Sequence, residues 1–330
     1  HLHRRERPHQ GRRRGAGRKV SAMAAAYISP AAEGAKPSAA QPRHSGMRKT
    51  LENLIHLIFL LCGVVAVAFV LLISIYLILS GIPAIREIGL GKFLFGKVWD
   101  PTNTTTGAQY GILAFILTSI YGTAGAILIG VPVGLLTAVF LARVAPPRLA
   151  AVIRTAVQLL AGIPSVVYGL VGMIVLVPAI QRTFSLSSGA CLLAAILVLA
   201  VMILPSIINV SETALRAVPH EYEEGSEMET SFRVVLPAAR SGVATAVVLG
   251  VGRAIGEAMA IIMVAGNVSN MPGLFTPVRF LTTGIVSGMA YAAVGSLYQQ
   301  ALYSIALVLF LFIMLINVVL NLFIKKRKEG

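Results

Sequence analysis

Arg253 and Glu257 carry charge inside VVLGVGRAIGEAMAIIMVAG, a stretch that is otherwise apolar. An arginine at the centre of a membrane helix costs at least about 2.5–3.5 kcal/mol on insertion scales, so its presence there calls for a reason. The guanidinium fork matches the oxygens of a phosphate or a carboxylate, which makes Arg253 a candidate oxyanion ligand. A spacing of four predicts that both side chains share one helical face, a turn apart. Glu257 then either holds the guanidinium in place or releases it when an anion arrives. Arg before Glu is the less favourable order for a helical pair, which weakens a purely local explanation. A buried structural ion pair is the alternative reading.

A second concentration of charge lies in residues 211–242. Glu212, Glu221, Glu223, Glu224, Glu227 and Glu229 stand there against Arg216, Arg233 and Arg240, and they are six of the eleven acids after residue 50. In a chain this sparing of charge, such a loop suggests a docking element for another protein; a solvated loop is the alternative. A third pattern is discarded. Gly91-Lys92-Phe93-Leu94-Phe95-Gly96-Lys97 fits a phosphate-loop string, but Val98 stands where the metal-binding hydroxyl belongs and the interior is bulky. No nucleotide site or other cofactor is expected in this chain, so any ATP is handled by a partner.

The elements that must position these residues follow from composition. Of 330 residues, 56% are apolar and 12% charged, and the mean hydropathy is +0.81. A globular domain carries about twice that share of charge, which excludes a soluble enzyme. A membrane span needs about 20 mainly apolar residues. Stretches that long fall near 54–80, 111–142, 150–180, 189–210, 243–266 and 289–324, so the reading is an all-α, polytopic membrane protein with six spanning helices. The second stretch, at about 1.5 Å per residue, exceeds the hydrocarbon core and must tilt, kink near Pro132 or project beyond it. GIPSVVYG at 162–169 interrupts the third, as either a kink or a true break. Gly130 and Gly134, Gly252 and Gly256, and Gly284 and Gly288 repeat small residues at the spacing that permits close helix approach. Cys62 and Cys191 fall in apolar stretches and read as small buried hydrophobes.

The net charge of +15 is mostly local to the start. Residues 1–50 hold twelve Lys or Arg and two acids. Residues 1–46 lack apolar periodicity and are expected to be a disordered basic leader. Met47 is the preferred start of the folded chain, with an arm on an anionic membrane surface as the alternative. Nucleic-acid binding is disfavoured because aromatic residues to stack bases are almost absent there. With six spans, one side of the membrane carries 22 Lys or Arg and the other five; without the leader the balance is 12 against five. The positive-inside rule then places both termini in the cytoplasm.

Three segments carry a resemblance to a known family: ETALRAVPHEYEEGS, RVVLPAARSG and GRAIGEAMAIIMVAGN. Together they resemble the permease subunits of ABC importers, whose loop between spans four and five opens on an E-A-A pattern and closes on I-x-L-P. Glu224, Gly225 and Ser226 look like the opening and Val234-Val235-Leu236-Pro237 like the close, and the resemblance makes Glu221, Glu223, Glu224, Gly225, Ser226, Leu236 and Pro237 the candidates for coupling to the ATPase. GIPSVVYG and GRAIGEAM are similar to the phosphate importer, and PVRFLT with MVAGN to its PstC-type subunit. The likeness runs from about Met47 to the C-terminus. It implies the MetI-like permease fold, the bacterial inner membrane and a heterodimer with a PstA-like permease subunit. It also implies a PstB-like ATPase dimer docked on loop 211–242, a periplasmic phosphate-binding protein, and a transport role for Arg253 and Glu257. One departure stands out: the family's loop has about six more residues between its opening Glu and closing Pro, over one and a half helical turns. Either the ATPase docks unusually or the chain couples poorly, and the expectation is impaired uptake until the loop is restored. A permease for sulfate or molybdate is the nearest alternative. An ATP-independent secondary transporter is more distant, because no convincing internal repeat is present.

Overall fold

The computed structural model describes residues 46–105, 107–218 and 236–326. The chain divides into two units, His1–Val67 and Ala68–Gly330, and the packing between elements described below belongs to the second. Five of the six expected stretches form helices long and apolar enough to cross a membrane: Leu51–Ile88, Leu113–Val144, Ser165–Thr183, Leu192–Arg216 and Leu297–Leu322. The sixth, expected at 243–266, is two shorter helices.

Helix α1 (Gly46–Ile88) is followed by the short α2 (Leu90–Phe95) and a minimal antiparallel pair, β1 (Trp99–Asp100) and β2 (Gln109–Tyr110). The all-α reading therefore holds apart from two residues per strand. Trp99 packs edge-on to Tyr110, with ring centroids 5.6 Å apart, and lies 5.5 Å from Phe115. The discarded GKFLFGK string begins on α2 and ends beyond it, follows a helix rather than a strand, and its Phe93 is buried.

Helix α3 (Leu113–Val139) contains Pro132 and ends in a wider π turn, Phe140–Val144. Helix α4 (Pro147–Gly162) starts with proline at its first turn, where the missing N–H is harmless. It buries Ala150 and Val157 while Arg148 and Gln158 stay exposed, so it is amphipathic rather than part of a span. Ile163 and Pro164 are extended, as expected where a proline disfavours the helical region for its predecessor. The chain resumes in α5 (Ser165–Val171), a π turn (Gly172–Leu176) and α6 (Val177–Thr183). GIPSVVYG is thus a break, and the third span is 165–183 rather than 150–180.

Helix α7 (Leu192–Arg216) is central, with Leu199, Met202, Ile203, Ile207 and Leu215 buried along its length. It packs against α3 through small residues. A Cβ built on Gly130 would fall 2.7 Å from Ile203 Cδ1, and one on Gly134 2.7 Å from Ile207 Cγ2. Without a hydrophobic drive between helices in lipid, this close van der Waals approach holds the pair together. The remaining elements are α8 (Leu236–Ala238), α9 (Arg240–Gly256), α10 (Met259–Val264), α11 (Leu281–Met289) and α12 (Leu297–Lys326). Cys62 is exposed, contrary to expectation, while Cys191 is buried at the start of α7; both are free thiols.

Candidate functional site

The break between α9 and α10 falls at Glu257. Helix α9 is 17 residues and α10 six, each short of the roughly 20 residues that a span requires. Glu257 is extended, with φ −74° and ψ 133°, so its side chain leaves the helical face that carries Arg253. Its Oε1 accepts the Ala260 backbone N–H at 3.0 Å, satisfying one of the orphan donors that open α10. Its backbone carbonyl accepts the Thr282 hydroxyl of α11 at 2.7 Å. The expected one-turn pairing on a continuous helix is therefore replaced: among the described residues no ion pair joins Arg253 and Glu257. A tertiary contact to the Thr282 hydroxyl and a local one to the Ala260 N–H hold the backbone and the carboxylate of Glu257 in this arrangement.

Arg253 sits on the last turn of α9 and is exposed, although Val251 and Ala254 on either side of it are buried. It lies within electrostatic reach of Tyr168 on α5. The Tyr168 hydroxyl donates to the Leu160 carbonyl at 2.6 Å, closing the Ile163–Pro164 break. One residue on, Gly169 meets α10: a Cβ there would stand 2.8 Å from Ala260 Cα. The two interrupted helices thus meet at Gly169 and Ala260, beside Glu257. Sequence alone marked GIPSVVYG and GRAIGEAM separately; the fold brings them together. Gly252 and Gly256 have open space where a Cβ would go, so this side of α9 carries no close packing from the rest of the described chain.

With its neighbouring carboxylate committed to backbone, the Arg253 guanidinium is available to an external anion. The apolar cavity of about 640 Å³ bounded by Ile129, Val133, Val167, Gly172, Val198 and Val201 is a poor alternative. A phosphate there would find no donors, and a charge buried without partners is too costly.

At the end of the molecule where α3 finishes, the structure reveals a cluster that the sequence did not indicate. Glu212 is on α7, 5% exposed, and does not belong to a solvated acidic loop. Its Oε1 accepts Arg154 Nε at 2.6 Å and Arg216 Nε at 2.9 Å. The favourable Glu-then-Arg order at spacing four was a signal for the second contact; nothing local indicates the first. Leu236 and Pro237 form α8, and Leu236 packs against a small core of Ala138, Val139, Leu215 and Ala239. Glu221, Glu223, Glu224, Gly225 and Ser226 lie outside the described residues, as does the basic leader through residue 45. At the opposite end, Arg279 ties down the segment before α11. Its Nε and Nη2 donate to the Asn267 carbonyl at 3.0 and 2.6 Å, and the guanidinium lies 5.8 Å from the centroid of the Phe115 ring. Burial pulls the Arg279 guanidinium below the ordinary arginine range.

Residues 130–328 match the family of binding-protein-dependent transport system inner membrane components. The chain belongs to this family. It is 39% identical over 269 residues to a probable ABC transporter permease protein, YqgH, of Bacillus subtilis, covering 78% of this chain and 86% of that protein. It is 35% identical over 251 residues to the phosphate transport system permease protein PstC of Mesorhizobium japonicum, covering 68% of this chain and 75% of that one. The PstC protein of Haemophilus influenzae is 33% identical over 291 residues, covering 79% and 90%. Among solved structures, an inward-facing MetNI methionine ABC transporter chain matches 66% of this chain and 94% of its own at 19% identity, with a TM-score of 0.48. The family match starts at Gly130 and takes in both broken helices and the whole of α7. The chain is accordingly a multi-pass inner-membrane component of a transport system.

Proposed function

We propose that the chain is the PstC-type permease subunit of an ATP-driven phosphate importer. The observation that carries this reading is its similarity to PstC permeases across most of its length. The Arg253 guanidinium, exposed on the last turn before a helix break, supplies the matching chemistry. A guanidinium that no carboxylate among the described residues neutralises suits a small oxyanion, and its exposure suits a path completed by a second, PstA-like permease subunit. A PstB-like ATPase dimer docks on the segment containing Glu221, Glu223, Glu224, Gly225, Ser226, Leu236 and Pro237 and hydrolyses ATP there. An extracytoplasmic phosphate-binding protein delivers inorganic phosphate. The Lys and Arg excess at the end bearing Arg143, Arg154 and Arg216 supports placing that end, and both termini, in the cytoplasm.

The test is phosphate uptake by this chain with its native partners in a strain lacking the corresponding permease subunit. The reading predicts uptake that depends on the ATPase and resists competition by excess sulfate or molybdate. Uptake suppressed by either oxyanion would reassign the solute, and uptake without the ATPase would reassign the transport class.

A further inference from the structure

We propose that Glu212 is a positioning residue that ties the start of the ATPase-docking segment to the broken helices. This inference rests on the importer reading above and names how that coupling leaves the docking segment.

The docking segment departs from the end of α7, just past Val218, and that end is clamped. Arg143, on the π turn after α3, donates through Nη2 to the Leu215 carbonyl at 2.6 Å and to the Val218 carbonyl at 3.1 Å. These carbonyls lie at the helix terminus, where intrahelical partners run out, and a cation there also complements the negative end of the helix. One turn earlier, Glu212 accepts both Arg154 of α4 and Arg216 of its own helix on a single oxygen. Arg154 in turn reaches the Leu141 carbonyl at 3.2 Å, and Arg216 the same carbonyl at 3.5 Å. One buried carboxylate thus fastens α7, α4 and the π turn to one another.

Helix α4 leads from this clamp to the candidate site. It ends at Gly162, where the Leu160 carbonyl receives the Tyr168 hydroxyl of α5. Gly169 of α5 then lies against Ala260, whose N–H is held by Glu257. Each step is a short polar or backbone-close contact, which leaves little slack between Val218 and Glu257. Spatial continuity alone does not establish coupling, so the experiment must show that a change at Glu212 is felt on α4.

The experiment uses the full chain assembled with its partner subunits and carries Glu212→Gln and Glu212→Asp, which differ in charge at similar polarity. Glu212→Gln is expected to speed amide exchange across 147–162 by about tenfold, although the substitution lies on another helix, and Glu212→Asp by no more than about threefold. ATP hydrolysed per solute imported should rise about fivefold in Glu212→Gln and return toward the parent value in Glu212→Asp. Exchange changes confined to 208–218, or an unchanged ratio at equal amounts of assembled complex, would overturn the proposal. If Glu212→Gln does not assemble, Arg154→Lys tests the same contact from α4, and unaltered exchange across 208–218 in that variant would overturn it equally. Failure of the phosphate reading would show instead as a parent transporter that imports no phosphate, while the exchange measurement still decides the clamp.

Discussion

The α3–α7 pair and the α9–α10 element use the same sequence device to opposite ends. Both place glycines four residues apart on a helix, Gly130 and Gly134 in the first and Gly252 and Gly256 in the second. In the first, an added Cβ would collide with Ile203 and Ile207; in the second it would meet nothing within 4 Å. A small-residue repeat therefore records permission for close approach, not its occurrence. The same contrast holds for charge. The Glu212–Arg216 pair at spacing four is formed, with its carboxylate buried, while Arg253 and Glu257 at the same spacing are separated by a helix break. A packed region uses its polar groups internally, and an open one leaves them to face something else.

The sharpest way to break this comparison is Arg253→Gln. It should lower phosphate uptake by about 100-fold, equivalent to roughly 2.7 kcal/mol, at an unchanged amount of assembled transporter. Near-parental uptake would move the anion's path away from α9. Next in size is the docking segment: inserting about six residues after Ser226 should raise uptake about tenfold, within the usual range of coupling energies. No gain would mean that the ATPase accepts the shorter segment as it is.

Smaller effects test the packing side. Gly134→Ala should destabilise by about 1–3 kcal/mol, because the new methyl would lie 2.7 Å from Ile207 Cγ2. The same change at Gly252 should be neutral or stabilise by up to about 1 kcal/mol, through helix propensity alone. Thermal unfolding of the two variants in the same detergent reads the difference in sign, and equal effects would remove the distinction. Smallest is the cap: Glu257→Leu should cost about 1 kcal/mol, while Glu257→Gln, which keeps an acceptor for the Ala260 N–H, should cost less than about 0.5 kcal/mol. Equal losses would show that charge, and not capping, holds the break open.

Much of this arrangement is legible in the order of the residues. Hydropathy marks all six apolar stretches, and the break at Pro164 follows from a local rule about residues that precede proline. Arg253 stands out because a charge in an apolar stretch is visible one residue at a time. The sequence misleads where an outcome depends on distant atoms. Residues 150–162 are apolar enough to extend a span, but Arg154 has its partner 58 residues away and α4 separates as an amphipathic helix. Glu212 looks like one acid among six, and burial beside Arg154 sets it apart.

By itself, then, the sequence determined the membrane class, the apolar stretches, the one-sided excess of basic residues and the identity of the charges set in apolar stretches. These are sums or positions of single-residue properties, and transfer free energies act on each residue wherever it lies. Tertiary structure decided that the Glu257 carbonyl receives the Thr282 hydroxyl at a helix break, where its carboxylate caps a half-helix instead of pairing with Arg253. It also decided that Gly169 and Ala260 bring two broken helices together, and that one carboxylate on α7 gathers two arginines. Those outcomes depend on which backbones approach within a few ångströms, and spacing along the chain does not encode that.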